Sequence, residues 1–146
     1  MLKVFLDANI YFSGFVSEEG ASHLVLRIAS RKKMILYSSK LVLREVERNL
    51  RLKSKRENLK LFHRYLQKNK IHIVPFPEDK ILEPLESLIH PKDLPVLGAA
   101  LVSKADYLLT LDKRHFFTPA LQAMETKIKI MSPGDFIREV YLKGKF

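Results

Sequence analysis

Four carboxylates stand out as residues that could do chemistry: Asp7, Glu45, Asp93 and Asp112. Asp7 ends the apolar run Val4-Phe5-Leu6, and Asp112 follows the apolar run Tyr107-Leu108-Leu109-Thr110. Glu45 lies inside a helical pattern, and Asp93 opens another. Residues this far apart in sequence converge in a parallel α/β fold, where ligand sites lie outside the carboxyl ends of the strands. A cluster of hard oxygen donors recruits Mg²⁺ or Mn²⁺. Asn9 and Ser13, in the expected turn after the first strand, and the Thr110 hydroxyl add further oxygens.

Each acid also has a plainer reading. An Asp after a strand commonly serves as a turn residue or helix cap. A Glu inside a helix usually faces solvent, and Glu47 competes with Glu45. The claim of Glu45 is geometric: it lies beside Val46 on the Val42/Val46 stripe, which aims it along the edge of the core. Asp93 precedes Leu94-Pro95 and suits a helix N-cap, with proline in the first turn. That reading is compatible with metal binding, since a helix N-terminus favours an ionised carboxylate. Asp106 competes with Asp112, but Asp106 opens its strand and Asp112 follows it.

The charge balance bears on the partner. Lys and Arg total 26 against 16 for Asp and Glu, a formal net charge of +10. An acidic pocket against a positive background fits a metal-dependent nuclease acting on a polyanion. Arg44, Arg48 and Arg51 recur at helical spacing on the segment that carries Glu45, and Lys113 and Arg114 follow Asp112 directly. These are the candidate phosphate contacts. Their plainer reading is a solvated face partly neutralised by Glu47. His23, His63, His72 and His90 are dispersed, with no close pair of the kind a zinc site uses. No His–Ser pair with a third orienting acid is apparent. An Asp7 nucleophile for phosphoryl transfer is disfavoured, because the usual second acid two residues on is Asn9.

The elements that must position these groups alternate between strand-like runs and helical patterns, the signature of a parallel sheet. Strands are expected at Lys3 to Leu6, Met34 to Tyr37, Ile71 to Val74, Tyr107 to Thr110 and Lys127 to Ile130. Helices are expected between Ser22 and Lys32, from about Lys40 through Leu50, and from Ser54, where Ser54 and Glu57 match a capping box. Pro84 breaks the stretch from Glu78 to Ile89 into a loop with a short helical turn. A helix from Asp93 to about Lys104 follows. A last helix reaches about Leu142, opened by a second capping pattern at Ser132 and Asp135.

The length of 146 residues favours one domain, 1–146, able to bury a real core. The absence of cysteine excludes disulfides, thiol catalysis and Cys-ligated zinc. The N-terminus lacks the pattern of a signal peptide. The apolar run Leu94 to Val102 falls well short of the roughly 20 residues that span a bilayer. A soluble, cytoplasmic protein without membrane association is expected.

Taken together, four stretches resemble the PIN-domain nucleases: LDANIYFSG, SSKLVLREVERNL, DLPVLGAALVSKADYLLTLDKRHF and MSPGDF. They occur in the expected order over essentially the whole chain, and the third is the most specific. Within the family the chain looks most like the VapC-type toxins. The resemblance implies a three-layer α/β/α fold with a central twisted parallel sheet of four to five strands. It places the family's four acidic positions on Asp7, Glu45, Asp93 and Asp112, with Asn9 and Thr110 as polar companions. Leu111 stands where members often have Gly, which alters the turn before Asp112. The implied activity is endoribonuclease cleavage with one or two Mg²⁺ or Mn²⁺ ions, Glu45 or Asp112 also orienting the water. RNA is the implied substrate and a small antitoxin-like protein the implied inhibitor. Related domains often dimerise, and Leu61 and Tyr65 lie beside the inward stripe of their helix, so a two-fold homodimer is expected. The alternative is a non-catalytic RNA-binding or RNA-processing assembly module on the same fold.

Overall fold

The computed structural model describes residues 1–144. Its centre is strand β1 (Leu2–Leu6), where Val4, Phe5 and Leu6 are all fully buried. Such a continuous apolar run belongs to a parallel strand covered on both faces. β1 pairs with β2 (Met34–Ser39) on one side, Val4 opposite Leu36, and with β4 (Tyr107–Leu109) on the other, Leu6 opposite Leu109. β3 (Ile71–Val74) and β5 (Lys129–Met131) form the edges, giving the all-parallel order β3-β2-β1-β4-β5. The chain winds outward from β1 in one direction and then returns to wind the other way. The order therefore reverses between β1 and β4, and a crevice opens at their carboxyl ends.

The five expected strands are all present, with β5 starting two residues later than its sequence pattern suggests. The helices differ more. The turn expected after β1 is instead helix α1 (Ala8–Val16), which buries Ala8, Ile10, Tyr11 and Gly14. It is apolar on nearly every side because it lies inside the fold, so it shows none of the striping that marks a surface helix. α2 (Ala21–Ser30), α3 (Lys40–Lys53) and α4 (Arg56–Lys68) pack around it. An edge-to-face aromatic cluster ties α1 to α4: Phe62 meets Tyr11 at 6.3 Å and Phe15 at 5.7 Å, and Phe15 meets Tyr65 at 5.4 Å. Each such pair adds about 0.5–1.5 kcal/mol beyond its area burial.

β2 runs into α3 without a loop. The Ser39 side chain, at the end of the strand, accepts from the Val42 N–H and so caps the helix. The capping box expected at Ser54 is absent. The Ser54 hydroxyl donates to the Leu50 carbonyl at 2.7 Å and closes the end of α3, while α4 begins at Arg56 without a side-chain cap. Around Pro84 the chain forms the short helix α5 (Asp79–Leu82) and a 3₁₀ turn (Glu83–Leu85), as the proline requires. α6 (Leu94–Ser103) packs across β2 and β3, with α5 against it. Two short helices that the sequence pattern does not reveal follow β4: α7 (Lys113–Phe116) and α8 (Pro119–Gln122). The last element opens as α9 (Pro133–Phe136), capped by Ser132 as expected, and continues as a π-helical turn (Ile137–Tyr141).

Gly14 marks the closest approach of α1 and α2. A Cβ there would lie 2.5 Å from Leu26 Cδ1 and 3.3 Å from the Ser22 backbone. The leucine methyl can move, but the Ser22 backbone cannot do so without shifting α2. Gly14→Val is therefore expected to destabilise the protein by roughly 1–3 kcal/mol. The change should appear as a lower urea midpoint at unchanged slope. An unaltered midpoint would show that the α1–α2 contact is not tightly packed.

Candidate active site

At the carboxyl end of β1 the chain bends into α1, and Asp7 occupies the junction. Its Oδ1 accepts from the Ala8 N–H at 2.7 Å and caps the helix, and its own backbone N–H donates to the Leu109 carbonyl of β4 at 3.0 Å. Thr110, fully buried just past β4, donates its hydroxyl to Asp7 Oδ2 at 2.8 Å. Asn9 Nδ2 lies 3.3 Å from the same oxygen and 3.2 Å from Thr110 Oγ1. Asn9 Oδ1 in turn accepts from the Leu111 N–H at 3.1 Å. The first turn of α1 is thus tied to the exit of β4.

That network carries on to Asp112. Its backbone N–H donates to Thr110 Oγ1 at 3.1 Å, and its Oδ1 accepts from the His115 N–H at 3.1 Å, capping α7. Leu111 does not need glycine's freedom. Its φ is not positive, since Lys32 and Lys104 are the only non-glycine residues with positive φ among those described. Its side chain projects outward, 43% exposed, and Asp112 still reaches the crevice.

Asp93 stands at the N-cap position of α6 but makes no capping hydrogen bond. Its carboxylate turns instead to His115, whose Nδ1 lies 2.7 Å from Asp93 Oδ2 and 3.1 Å from Asp112 Oδ2. Glu45 enters from α3. Asp7, Glu45, Asp93 and Asp112 all line one cleft of about 260 Å³, together with Asn9, Asn49, Lys53, Lys92 and His115. The competing acids are elsewhere. Glu47 pairs with Arg51 and His63 on the outer face of α3, and Asp106 accepts from the Lys3 N–H.

The basic residues are arranged differently from the sequence expectation. Glu45, Asn49 and Lys53 recur every four residues and form one stripe of α3 along the cleft. Arg44 and Arg48 sit one position earlier, about 100° around the helix. Arg44 lines a separate apolar groove with Leu41, Ile73 and Phe76, and Arg51 is held by Glu47. Lys113 and Arg114 are exposed on α7, outside the cleft lining. The cations that line the cleft are Lys53 and Lys92. Spacing alone could have found Lys53, and adjacency to Asp93 could have found Lys92. The histidines also depart from expectation: His90 and His115, 25 positions apart in sequence, stack with ring centroids 4.8 Å apart.

The buried position of Asp7 shifts its protonation. Burial pushes the Asp7 carboxyl up from 3.8 to about 6, and the charges of Glu45 and Asp93 add to the rise. Hydrogen bonds from the Thr110 hydroxyl and the Ala8 N–H pull the other way without overcoming it. A set of carboxylates at such close quarters suits a hard divalent cation, which relieves their mutual repulsion.

A parallel sheet with carboxylates at its switch point defines an α/β protein with a polar, acid-lined crevice. The chain matches the PIN domain over residues 3–114, and it belongs to this family, whose members are nucleases. Among solved structures it is similar to a chain of VapBC2 from Rickettsia felis bound to a DNA fragment from their promoter. That likeness has a TM-score of 0.63 at 19% identity and covers 90% of this chain and all of the other. Comparison with curated proteins finds no match.

The raised Asp7 pKa sets a pH dependence for the metal-free fold. Between about pH 4 and 6 the folded state holds a proton that the unfolded state has released, so this group costs stability as pH rises through that window. The ceiling is about 3 kcal/mol, from a shift of roughly two units. In chelator, the stability of Asp7→Asn relative to the native protein should therefore climb from pH 4 to 7. Thermal melts giving a constant difference across that range would contradict the raised pKa.

Proposed function

We propose that residues 1–146 form one PIN nuclease domain that cleaves RNA as a metal-dependent endoribonuclease, the cytoplasmic toxin of a toxin–antitoxin pair. The observation that carries this reading is the meeting of Asp7, Glu45, Asp93 and Asp112 in one cleft from four separate segments. These carboxylates would hold one or two Mg²⁺ or Mn²⁺ ions. Bound there, the metal would supply Lewis acidity and a water of lowered pKa.

The chain's own residues have distinct tasks. Thr110 and Asn9 donate to Asp7 Oδ2 and fix the direction of its remaining lone pairs. Asp112, held by its own cap on α7, is fixed in the same way. Glu45 accepts no hydrogen bond from another described residue and is free to orient the attacking water and take its proton. Lys53 and Lys92 hold the scissile phosphate at the rim. Arg44, Arg48, Lys113 and Arg114 contact the strand further out, and Arg51 reaches it only by leaving Glu47.

Membership of the PIN family supports nuclease chemistry, and the likeness to a chain of VapBC2 supports a dedicated antitoxin-like partner. A basic side chain of that partner would enter the acid cleft through charge-assisted hydrogen bonds. For the proposed homodimer, Leu61 is the exposed contributor. Tyr65 is partly committed inside the protein, donating to the Leu26 carbonyl at 2.7 Å. Light scattering at micromolar concentration decides between dimer and monomer.

Cleavage of mixed RNAs with and without Mn²⁺ tests the activity. Loss of groups that merely support metal ligands typically costs 10–100-fold. Asp7→Asn and Asp93→Asn, which remove ligand charge, should each lower cleavage by at least about 100-fold with the fold intact. Full activity in excess chelator would refute the metal-dependent reading. Replacing Lys53 and Lys92 with alanine should flatten the salt dependence of RNA binding by about 0.7 slope unit per lost contact. An unchanged slope in that double variant would remove both lysines from the substrate path.

A further inference from the structure

His90, Asp93 and His115 each offer one ligand atom, and the three atoms lie within 4.8 Å of one another. The cluster is built from two pieces of chain far apart in sequence: the turn before α6, which carries His90 and Asp93, and α7, which carries His115. We propose that it forms a second metal site, specific for a borderline transition cation such as Zn²⁺ or Co²⁺, sharing Asp93 with the carboxylate cleft.

Donor chemistry separates the two sites. Asp7, Glu45 and Asp112 offer only carboxylate oxygens, which suit Mg²⁺ and Mn²⁺. The cluster offers two imidazole nitrogens and one carboxylate. That set suits Zn²⁺ or Co²⁺, and three protein ligands leave a fourth position for water. In a tetrahedral zinc site with bonds of about 2.0–2.1 Å, ligand atoms stand roughly 3.3 Å apart. The cluster must contract by about 1.5 Å at most, within the reach of side-chain rotation.

The surroundings favour that rotation. His90 is exposed and carries no core packing, and its ring already lies against His115 at an interplanar angle of 14°. His115 Nδ1 lies 2.7 Å from Asp93 Oδ2 and 3.1 Å from Asp112 Oδ2, so its ring already stands beside the carboxylate that would share the ion. Contacts at both rings oppose binding: an ion competes with the His115 Nδ1 contacts to Asp93 and Asp112, and His90 Nδ1 accepts from the Lys92 N–H at 3.1 Å. An ion must take that lone pair or invert the tautomer, and water replaces the lost bond because Lys92 is exposed.

Asp93 has one carboxylate to share between the two sites. Given the cleavage activity proposed above, Zn²⁺ held by the imidazoles acts as a brake on Mg²⁺-supported cleavage. The binding site itself does not depend on that activity.

Co²⁺ titration of the metal-free chain, followed by its visible absorption, tests the site directly. One Co²⁺ is expected to bind with micromolar or tighter affinity and a nitrogen-ligated spectrum. His90→Ala, at an exposed position that does not endanger folding, should weaken it by at least about tenfold. Asp7→Asn should retain the Co²⁺ signal, although it is expected to lose Mg²⁺- or Mn²⁺-supported cleavage. Unchanged Co²⁺ affinity in His90→Ala would overturn the proposal. So would loss of the signal in Asp7→Asn, which would assign the ion to the carboxylate cleft. Zinc inhibition of Mg²⁺-supported cleavage should be relieved in His90→Ala, and inhibition that persists there would refute the brake.

Discussion

Everything at the candidate site depends on one buried carboxylate. Asp7 must stay at the end of β1 because it caps α1, and α1 is the helix around which α2, α3 and α4 pack. The same carboxylate must also tolerate Glu45 and Asp93 nearby, although burial already disfavours its charge. The fold eases this conflict by aiming donors at it: the Ala8 N–H on one oxygen, the Thr110 hydroxyl and the Asn9 amide on the other. Those donors do not bring its pKa back to the ordinary range. What is left over is a local preference for positive charge in the cleft. A proton, a metal ion or a partner's basic side chain can each satisfy it.

The topology explains why four distant segments meet. β1 is central, and the sheet order reverses between β1 and β4, so the ends of these two strands are the walls of a crevice. Asp7 follows β1 directly, and Asp112 comes just after β4, beyond Thr110 and Leu111. Asp93 arrives at the start of α6, which packs across β2 and β3, and Glu45 arrives on α3, which continues straight from β2. The hydrogen-bond chain Asp7–Thr110–Asp112 links positions 7 and 112 through a single buried threonine. The strand pairing brings the acids close, and this chain fixes their orientation.

Much of this was legible in the sequence. The strands are short apolar runs, and the four acids sit where runs end or helices begin, so the parallel sheet and the candidate cleft could be read from pattern. Helix α1 could not be read that way. A helix buried on almost all sides has no polar face, and periodicity gives no signal for it. The one local clue is Asp7 as a helix cap, and an Asp after a strand fits a turn equally well. Ser54 misled in the opposite direction: its spacing to Glu57 fits a capping box, yet its hydroxyl closes the helix before it. The pairing of His90 with His115 lay beyond reach. It depends on how the loop before α6 folds back over α7, a tertiary fact with no local trace.

Charge on the two sides of α3 shows how a basic protein keeps an acidic cleft. Arg44, Arg48 and Arg51 look, in sequence, like one basic surface surrounding Glu45. The helix separates them: Glu45, Asn49 and Lys53 face inward on one stripe, while the arginines face a different groove, solvent or Glu47. Attraction of a polyanion follows the summed charge distribution, here a formal net charge of +10, and acts over about a Debye length from the cationic surface. Short-range contact with the carboxylates is unfavourable for a phosphate unless a cation stands between them, because like charges at a few ångströms repel strongly where water is scarce. Under the proposed function, then, a nucleic acid is drawn to the surface by Lys and Arg but reaches the carboxylates only when the cleft is loaded. Substrate approach and metal occupancy are thereby coupled through electrostatics alone, with no moving part required.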